Sequence, residues 1–297
     1  MKVELKGFIV SVHCPTEESL NIVADCTNLS PSRYMELVSK LQDVLTEMDL
    51  KHSKGDIKGR SLKARYRRII AYNIRQRILR FFPYPSYYAN KLKYVRMKVY
   101  QILDEYCFGI EIMKSGYFKE KVYILPENFV DGFLREISHL NVDVEETFKA
   151  ISSIDISNVA SILHSYGVEY RVKNVAVELV KIDLLPLELG RAIEEWSKRS
   201  PKVKEILEEK YRQLTDKIIE DIRRRLEDIF KGILGNAKIK KIRERLEQLR
   251  GMVESLGLNW ISRDIVLPAL EMIEEGRRMK DIDVMKRKLD ELLSKLV

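Results

Sequence analysis

A basic segment with almost no acids is the feature that most constrains how this chain can fold. Residues 51–98 contain fifteen Lys or Arg and one acid, Asp56, so these 48 residues carry a net charge of +14. The remaining residues contain 38 bases and 44 acids, a net charge of about −6. Cations at this density repel one another unless something compensates them. The segment therefore needs water, carboxylates of the protein or a polyanion beside it.

The composition is that of a folded protein. Of the 297 residues, 45% are hydrophobic and 33% charged. There is no long uncharged apolar run, and the N-terminal sequence MKVELKGFIVSVHCP alternates like a strand. We therefore predict neither a membrane span nor a signal peptide, and expect a cytoplasmic protein. Abundant Lys, Arg, Glu and Ile, with few Gln, favour a thermophilic and archaeal host.

Apolar periodicity predicts an α+β fold that is predominantly helical, with a small β element. The opening strand changes its inward phase at Gly7, which predicts a bulge there. Ser30 and Pro31 are a good N-cap and first helical residue. The apolar positions that follow recur at spacings of three and four, which predicts a helix: Tyr34, Leu37, Val38, Leu41, Val44, Leu45 and Met48.

The basic segment itself predicts a helical hairpin at about residues 58–106. Its first helix would cover about residues 60–82 and end at Pro83 and Pro85, since proline breaks helices. Its second helix would cover about residues 87–106 and end near Gly109. On a helical wheel the first helix separates an apolar side from a cationic side.

The remaining elements suggest a boundary near residue 187. KVYIL at residues 121–125 predicts a strand, followed by a helix beyond Pro126. Asp143 and Glu146 resemble a capping box that opens another helix. Residues 166–182 are rich in β-branched residues and predict a strand or a hairpin. From Leu187 the pattern is helical, at about 201–230, 239–256, 260–273 and 283–296. We therefore predict an α+β domain at 1–186 and a C-terminal helical bundle at 187–297.

The hairpin is the candidate site, and nucleic acid is the expected partner. Lysine and arginine would contact phosphates, and exposed tyrosines would stack on unpaired bases at about 1 to 3 kcal/mol each. Single-stranded binding is expected if the tyrosines are exposed, and the choice between DNA and RNA stays open. The candidate residues are Lys58, Arg60, Lys63, Arg67, Arg68, Arg75, Tyr84, Tyr87, Tyr88, Lys91, Lys93, Arg96 and Lys98.

Other interpretations of the hairpin remain open. In the first, the cations are only the solvated face of a helix, and the tyrosines beside the prolines form the packed end of a hairpin. In another interpretation the hairpin docks on the acidic C-terminal helices of the same or a neighbouring subunit, which makes a self-assembling homo-oligomer. A membrane surface is less favoured, because prolines interrupt the segment.

No residue pattern indicates a reaction. The sequence lacks GxxxxGK[ST], GxGxxG, HExxH and GxSxG. Cys14, Cys26 and Cys107 are odd in number and far apart, which predicts neither a disulfide framework nor a metal knuckle. We therefore expect a non-enzymatic protein without cofactor or metal. A site assembled from distant carboxylates stays open.

The order of several segments resembles domain-of-unknown-function family thirty-one-fifty, an uncharacterised family found in phages, plasmids and other mobile elements. The resemblance lies in LKGFIVSVHCP, ILDEYCFGIEI, KVYILPENFVDGFLREI, VEYRVKNVAVELVKIDLLP and RERLEQLRGMVESLGLNWISRDIVLPAL. The resemblance covers most of the chain, and it rests on the residue patterns of these segments and on their order along the sequence. It implies a viral or plasmid origin and no activity, and the basic hairpin is more pronounced here than in the family.

Overall fold

A computed structural model describes residues 5–52, 76–114, 118–172, 175–187, 201–234, 238–276 and 282–296. The strands are β1 (Gly7–His13), β2 (Ile22–Asp25), β3 (Ile78–Phe81), β4 (Phe108–Lys114), β5 (Phe118–Pro126), β6 (Glu169–Arg171) and β7 (Lys181–Pro186). The helices are α1 (Pro31–His52), α2 (Ser86–Tyr106), α3 (Val130–Ser152), α4 (Ser157–Ser165), α5 (Pro201–Leu234), α6 (Ile239–Ser255), α7 (Asn259–Ile261), α8 (Leu267–Gly276) and α9 (Ile282–Ser294). The predicted α+β, predominantly helical class is confirmed.

Contacts group the chain into two compact units. Unit 1 comprises residues 1–12, 101–136 and 182–297, and unit 2 comprises residues 13–100 and 137–181. This grouping does not follow the predicted boundary at residue 187, because strands from the first half of the chain share a core with the C-terminal helices.

Unit 1 combines a four-stranded sheet with the C-terminal helices. The strand order is β4-β5-β1-β7, and β5 runs antiparallel to both β4 and β1. The register with β5 is continuous from Gly7, so the predicted bulge is wrong and the phase change marks the start of β1. Gly7 has φ +156°, and a Cβ there would lie 2.5 Å from the carbonyl oxygen of Leu125. Only glycine therefore fits at this position.

The predicted C-terminal helical bundle is confirmed in unit 1. A π-helical turn, Ser262–Val266, joins α7 to α8. The core buries the apolar side of each long helix together with residues of β4 and β5: Phe108, Ile110, Ile124, Ile218, Ile222, Leu226, Leu246, Val253, Ile265 and Leu289. Helix α6 ends in a Schellman motif, because the Gly257 N–H bonds to the Glu254 carbonyl and the Leu258 N–H to the Val253 carbonyl.

Unit 2 is built on a three-stranded antiparallel sheet with the order β3-β2-β6. Helices α1 and α4 pack against each other, and their apolar residues share a core with one side of the sheet. Its fully buried members include Ile22, Ala24, Leu37, Leu41, Leu79 and Leu163. The predicted first long helix is confirmed, since α1 begins at Pro31 and ends at His52.

The first helix of the predicted basic hairpin was expected to continue to about residue 82, and this end of the prediction is wrong. Gln76 and Arg77 form a turn, and Ile78–Phe81 is strand β3. Residues in β3 alternate between exposed and buried and pair with β2, with Phe81 opposite Ile22. The preceding part of that predicted helix, residues 60–75, lies outside the described residues. The second predicted helix is confirmed as α2.

A further prediction is wrong: Asp143 and Glu146 lie in the middle of α3, so they open no helix. Residues 166–182 were predicted as a strand or a hairpin, and they contain strand β6 and the start of β7. The hairpin alternative is wrong, because these two strands belong to different sheets. The predicted strand at 121–125 is confirmed as part of β5.

Candidate nucleic-acid interface

Helix α2 carries the candidate residues that the structure describes. The backbone N–H of its first residue, Ser86, donates a hydrogen bond to the carboxylate of Asp49, which lies near the end of α1 and is only 3% exposed. A carboxylate at this position also suits the positive end of the helix dipole. The apolar residues Leu92, Val95 and Val99 are buried. These contacts determine which side of α2 points to solvent.

The solvent-facing side of α2 contains no acid until its last turn, where Asp104 and Glu105 are exposed. We call this surface the α2 outer face. It consists of the residues between Tyr87 and Tyr100 that are exposed, together with the half-buried Lys98: Tyr87, Asn90, Lys91, Lys93, Tyr94, Arg96, Met97, Lys98 and Tyr100. The sequence has no Asp or Glu from residue 57 to residue 103. The residues of this surface therefore contribute positive charge and no negative charge of their own.

Cation–π pairs recur along the α2 outer face at a spacing of four residues. The Lys91 ammonium lies 5.2 Å from the ring centroid of Tyr87, and the Lys98 ammonium lies 5.4 Å from that of Tyr94. The Arg96 guanidinium lies 5.9 Å from the ring centroid of Tyr100. A hydrogen bond with Tyr100 raises the pKa of Arg96. Such pairs order long side chains at a surface.

The cations of the α2 outer face are largely uncompensated. Lys93 forms an ion pair with Glu17, with an Nζ–Oε1 distance of 3.0 Å. Within the described part of unit 2, Lys91, Arg96 and Lys98 form no ion pair with a carboxylate. Among the described residues, Glu17 thus pairs directly with Lys93 and also acts at longer range on the charge of Arg96.

The tyrosines of the candidate site divide into two groups. Tyr84 is 4% exposed and packs edge to face on Phe82, so its prediction as a nucleic-acid contact is wrong. Burial raises the pKa of Tyr84, as expected of a core tyrosine. Tyr87 is 50% exposed and contacts the half-buried Tyr88 at 5.2 Å between ring centroids. The prolines thus adjoin a packed cluster, and exposed rings begin at Tyr87.

Six of the predicted cations lie outside the described residues: Lys58, Arg60, Lys63, Arg67, Arg68 and Arg75. Two tyrosines on the α2 outer face were missed by the sequence analysis. Tyr94 and Tyr100 are 50% and 45% exposed and contact cations of the site. The spacing of four residues between each tyrosine and a cation was the signal that could have found them.

A buried polar cluster in unit 1 was also missed. Asp221 on α5 is 4% exposed and accepts a hydrogen bond from the backbone N–H of Gly109 at 3.3 Å. Its carboxylate also binds Arg224 and Arg225. Arg225 donates in turn to the carbonyl oxygens of Asp104, at 2.7 Å, and Cys107. Because protein groups satisfy these charges, the cluster joins α5 to the end of α2 and the start of β4, which is a structural role.

The C-terminal helices pair many of their acids with bases on the same helix. Examples at spacings of three or four residues are Arg212 with Glu209, Arg223 with Glu227, Lys231 with Asp228, Arg243 with Glu247 and Arg250 with Glu254. These carboxylates are already partly compensated, which weakens the interpretation in which they serve as a docking surface for the basic segment.

Neither a metal centre nor a membrane span is visible in the described ranges. Across them, no three or more His, Cys, Asp or Glu come together in a way that could hold a metal ion. No helix among the described residues combines the length and apolar character needed to cross a bilayer.

Comparisons with known proteins reveal no family for this chain. No protein-family model and no solved structure matches it. Over 133 residues, 44% of the chain, it is 25% identical to an alanine–tRNA ligase of Candida albicans. The matched region spans 14% of the ligase, so the similarity concerns a small part of that protein.

Proposed function

We propose that this protein binds nucleic acid without catalysing a reaction, and that it contacts the phosphate backbone through the α2 outer face. The observation that carries the proposal is a helix face without acids of its own, on which Lys91, Arg96 and Lys98 stand beside exposed tyrosines. Phosphates compensate the mutual repulsion of these cations, and released counterions drive the association. The basic residues at 51–75 add to the positive charge of the same stretch of sequence.

Two sequence similarities are compatible with the proposal. The alanine–tRNA ligase is named for a nucleic acid, tRNA, although the match covers only a small part of that enzyme. The resemblance to domain-of-unknown-function family thirty-one-fifty adds a viral or plasmid origin. Neither similarity distinguishes DNA from RNA.

Binding to fluorescent oligonucleotides at several salt concentrations tests the proposal. Affinity measured by anisotropy should fall as salt rises, with a log–log slope of about −0.7 to −0.9 per phosphate neutralised. The triple variant Lys91→Glu, Arg96→Glu, Lys98→Glu should bind at least about tenfold more weakly and with a shallower slope. Binding that is absent or insensitive to salt contradicts the proposal.

A matched control uses exposed lysines of unit 1. The triple variant Lys238→Glu, Lys240→Glu, Lys241→Glu makes the same change in net charge at the start of α6. If the α2 outer face is the site, this control should retain most of the affinity. Equal losses in the two triple variants mean that net charge alone drives binding, and that outcome contradicts a site on α2.

Self-assembly through the C-terminal helices is the alternative function. Size-exclusion chromatography with light scattering in low and high salt separates the two functions, since charge-driven assemblies dissociate as salt rises. A monomer at both salt concentrations that still binds oligonucleotides favours the nucleic-acid proposal. An oligomer that dissociates in high salt and binds no oligonucleotide favours the alternative.

A further inference from the structure

The α2 outer face contains the same pair of residues twice. Lys91 lies over the ring of Tyr87, and seven residues further on Lys98 lies over the ring of Tyr94. Seven residues of α-helix make nearly two full turns and rise about 10.5 Å. The two pairs therefore point in almost the same direction and form one stripe, about 60° wide, along the helix.

Each pair presents one group suited to a base and one suited to a phosphate. Tyr87 and Tyr94 are each 50% exposed as residues, so a base can stack on the side of each ring that the lysine does not cover. The ammonium group lies about 5 Å from the ring centroid, within reach of the phosphate next to a stacked base. Each tyrosine–lysine pair is thus able to hold a nucleotide by both of its chemical parts.

We infer that this stripe binds single-stranded nucleic acid, with Tyr87 and Tyr94 stacking on bases and Lys91 and Lys98 contacting the adjacent phosphates. The inference rests on the proposed function and specifies the strand and the contacts. A rise of about 10.5 Å corresponds to about three nucleotides at the stacked spacing of about 3.4 Å. In a duplex the faces of internal bases are stacked on their neighbours, so a duplex offers the stripe phosphates only.

A third pair on α2 supplies an internal control. Arg96 lies over the ring of Tyr100, and Tyr100 is 45% exposed. On a helical wheel Tyr100 lies about 150° from the stripe. Tyr100→Ala therefore removes a similar ring and a similar cation–π contact from the same helix while leaving the stripe intact.

Anisotropy measurements compare three polymers: a twelve-nucleotide oligothymidylate, the same strand in a duplex, and a twelve-residue abasic strand. Tyr87→Ala and Tyr94→Ala should each weaken binding of the oligothymidylate by about 5- to 150-fold. Tyr94→Phe should bind within about twofold of wild type, because the ring is retained. Tyr100→Ala leaves the stripe intact, so any effect it has should be of similar size for the oligothymidylate, the duplex and the abasic strand. The duplex and the abasic strand should bind more weakly than the oligothymidylate and should not respond to loss of Tyr87 or Tyr94.

The outcomes separate this inference from the proposed function. If Tyr87→Ala and Tyr94→Ala behave like Tyr100→Ala, or the abasic strand binds as tightly as the oligothymidylate, base stacking is refuted. Salt-dependent binding to phosphates then still supports the proposed function. If no polymer binds with a salt dependence, both fail. Circular dichroism melts of each variant confirm that any loss of binding occurs in folded protein.

Discussion

Asp221 and Arg225, one helical turn apart on α5, form a buried ion pair with a distance of 2.9 Å between Nε and Oδ2. The same arginine binds backbone carbonyl oxygens at the end of α2, and the same carboxylate receives the N–H of Gly109 in β4. One pair of side chains thus satisfies backbone groups of two other elements that lie far away in sequence.

Asp221→Ala should destabilise the protein by about 3 to 5 kcal/mol, because it leaves the Arg225 guanidinium without its buried partner. Urea unfolding followed by circular dichroism measures the free energy of unfolding. Asp216→Ala, at an exposed position on the same helix, is the control and should change that free energy by less than about 0.5 kcal/mol. Equal effects of the two substitutions contradict the role given to Asp221.

Gly257→Ala should lower the free energy of unfolding by about 1 kcal/mol. Gly257 has φ +83° and lies just after the C-cap of α6, and a Cβ is strained in this left-handed conformation. Gly257→Asn should recover part of the loss, since asparagine tolerates this conformation better than alanine does. Thermal melts of the three proteins provide the comparison, and an alanine variant as stable as wild type argues against the Schellman motif.

Cys107 should resist alkylation until the protein unfolds. Burial raises the pKa of its thiol to about 12, so the thiolate fraction at pH 8 is about one in ten thousand. Burial also raises the pKa of Cys26, to about 11, whereas Cys14 is only half-buried. Mass spectrometry after timed exposure to iodoacetamide should find Cys14 modified first. Early labelling of Cys107 in native protein contradicts its burial.

Stability should decline as pH rises above about 9. Thiols whose pKa is raised by folding bind their protons more tightly in the native state. Their contribution is complete below the unfolded pKa of about 9 and is lost as pH rises towards 11 and 12. Urea unfolding at pH 8, 9 and 10 measures the decline. Cys107→Ala should be less stable than wild type at pH 8, but its free energy of unfolding should depend less on pH. If the pH dependence of the variant equals that of wild type, the thiol of Cys107 is not its cause.

Local patterns were enough to predict most of the helices. α1 follows from the N-cap at Ser30, the proline at position 31 and the three-and-four spacing of apolar residues. α2 and the C-terminal helices likewise have bounds close to those predicted. Helical hydrogen bonds join residues four apart, so a short window of sequence contains the information needed.

Strands were harder to predict, because their partners are distant. β3 is only four residues long and follows a basic stretch that favours a helix, yet its residues alternate and pair with β2. β2 and β4 were not predicted as separate strands either. A short strand is stable only beside its neighbours, and the sequence window around it does not contain them.

Some features of the candidate site were likewise predictable from the sequence, and others were not. The sequence alone determined the acid-free run of cations and the positions of the tyrosines among them, since charge and spacing are properties of the chain. Only the tertiary structure decided that Tyr84 is buried, that Lys93 pairs with Glu17, and that Tyr87 and Tyr94 remain exposed. Burial and ion pairing depend on which surfaces meet after folding, and those surfaces come from residues far apart in the sequence.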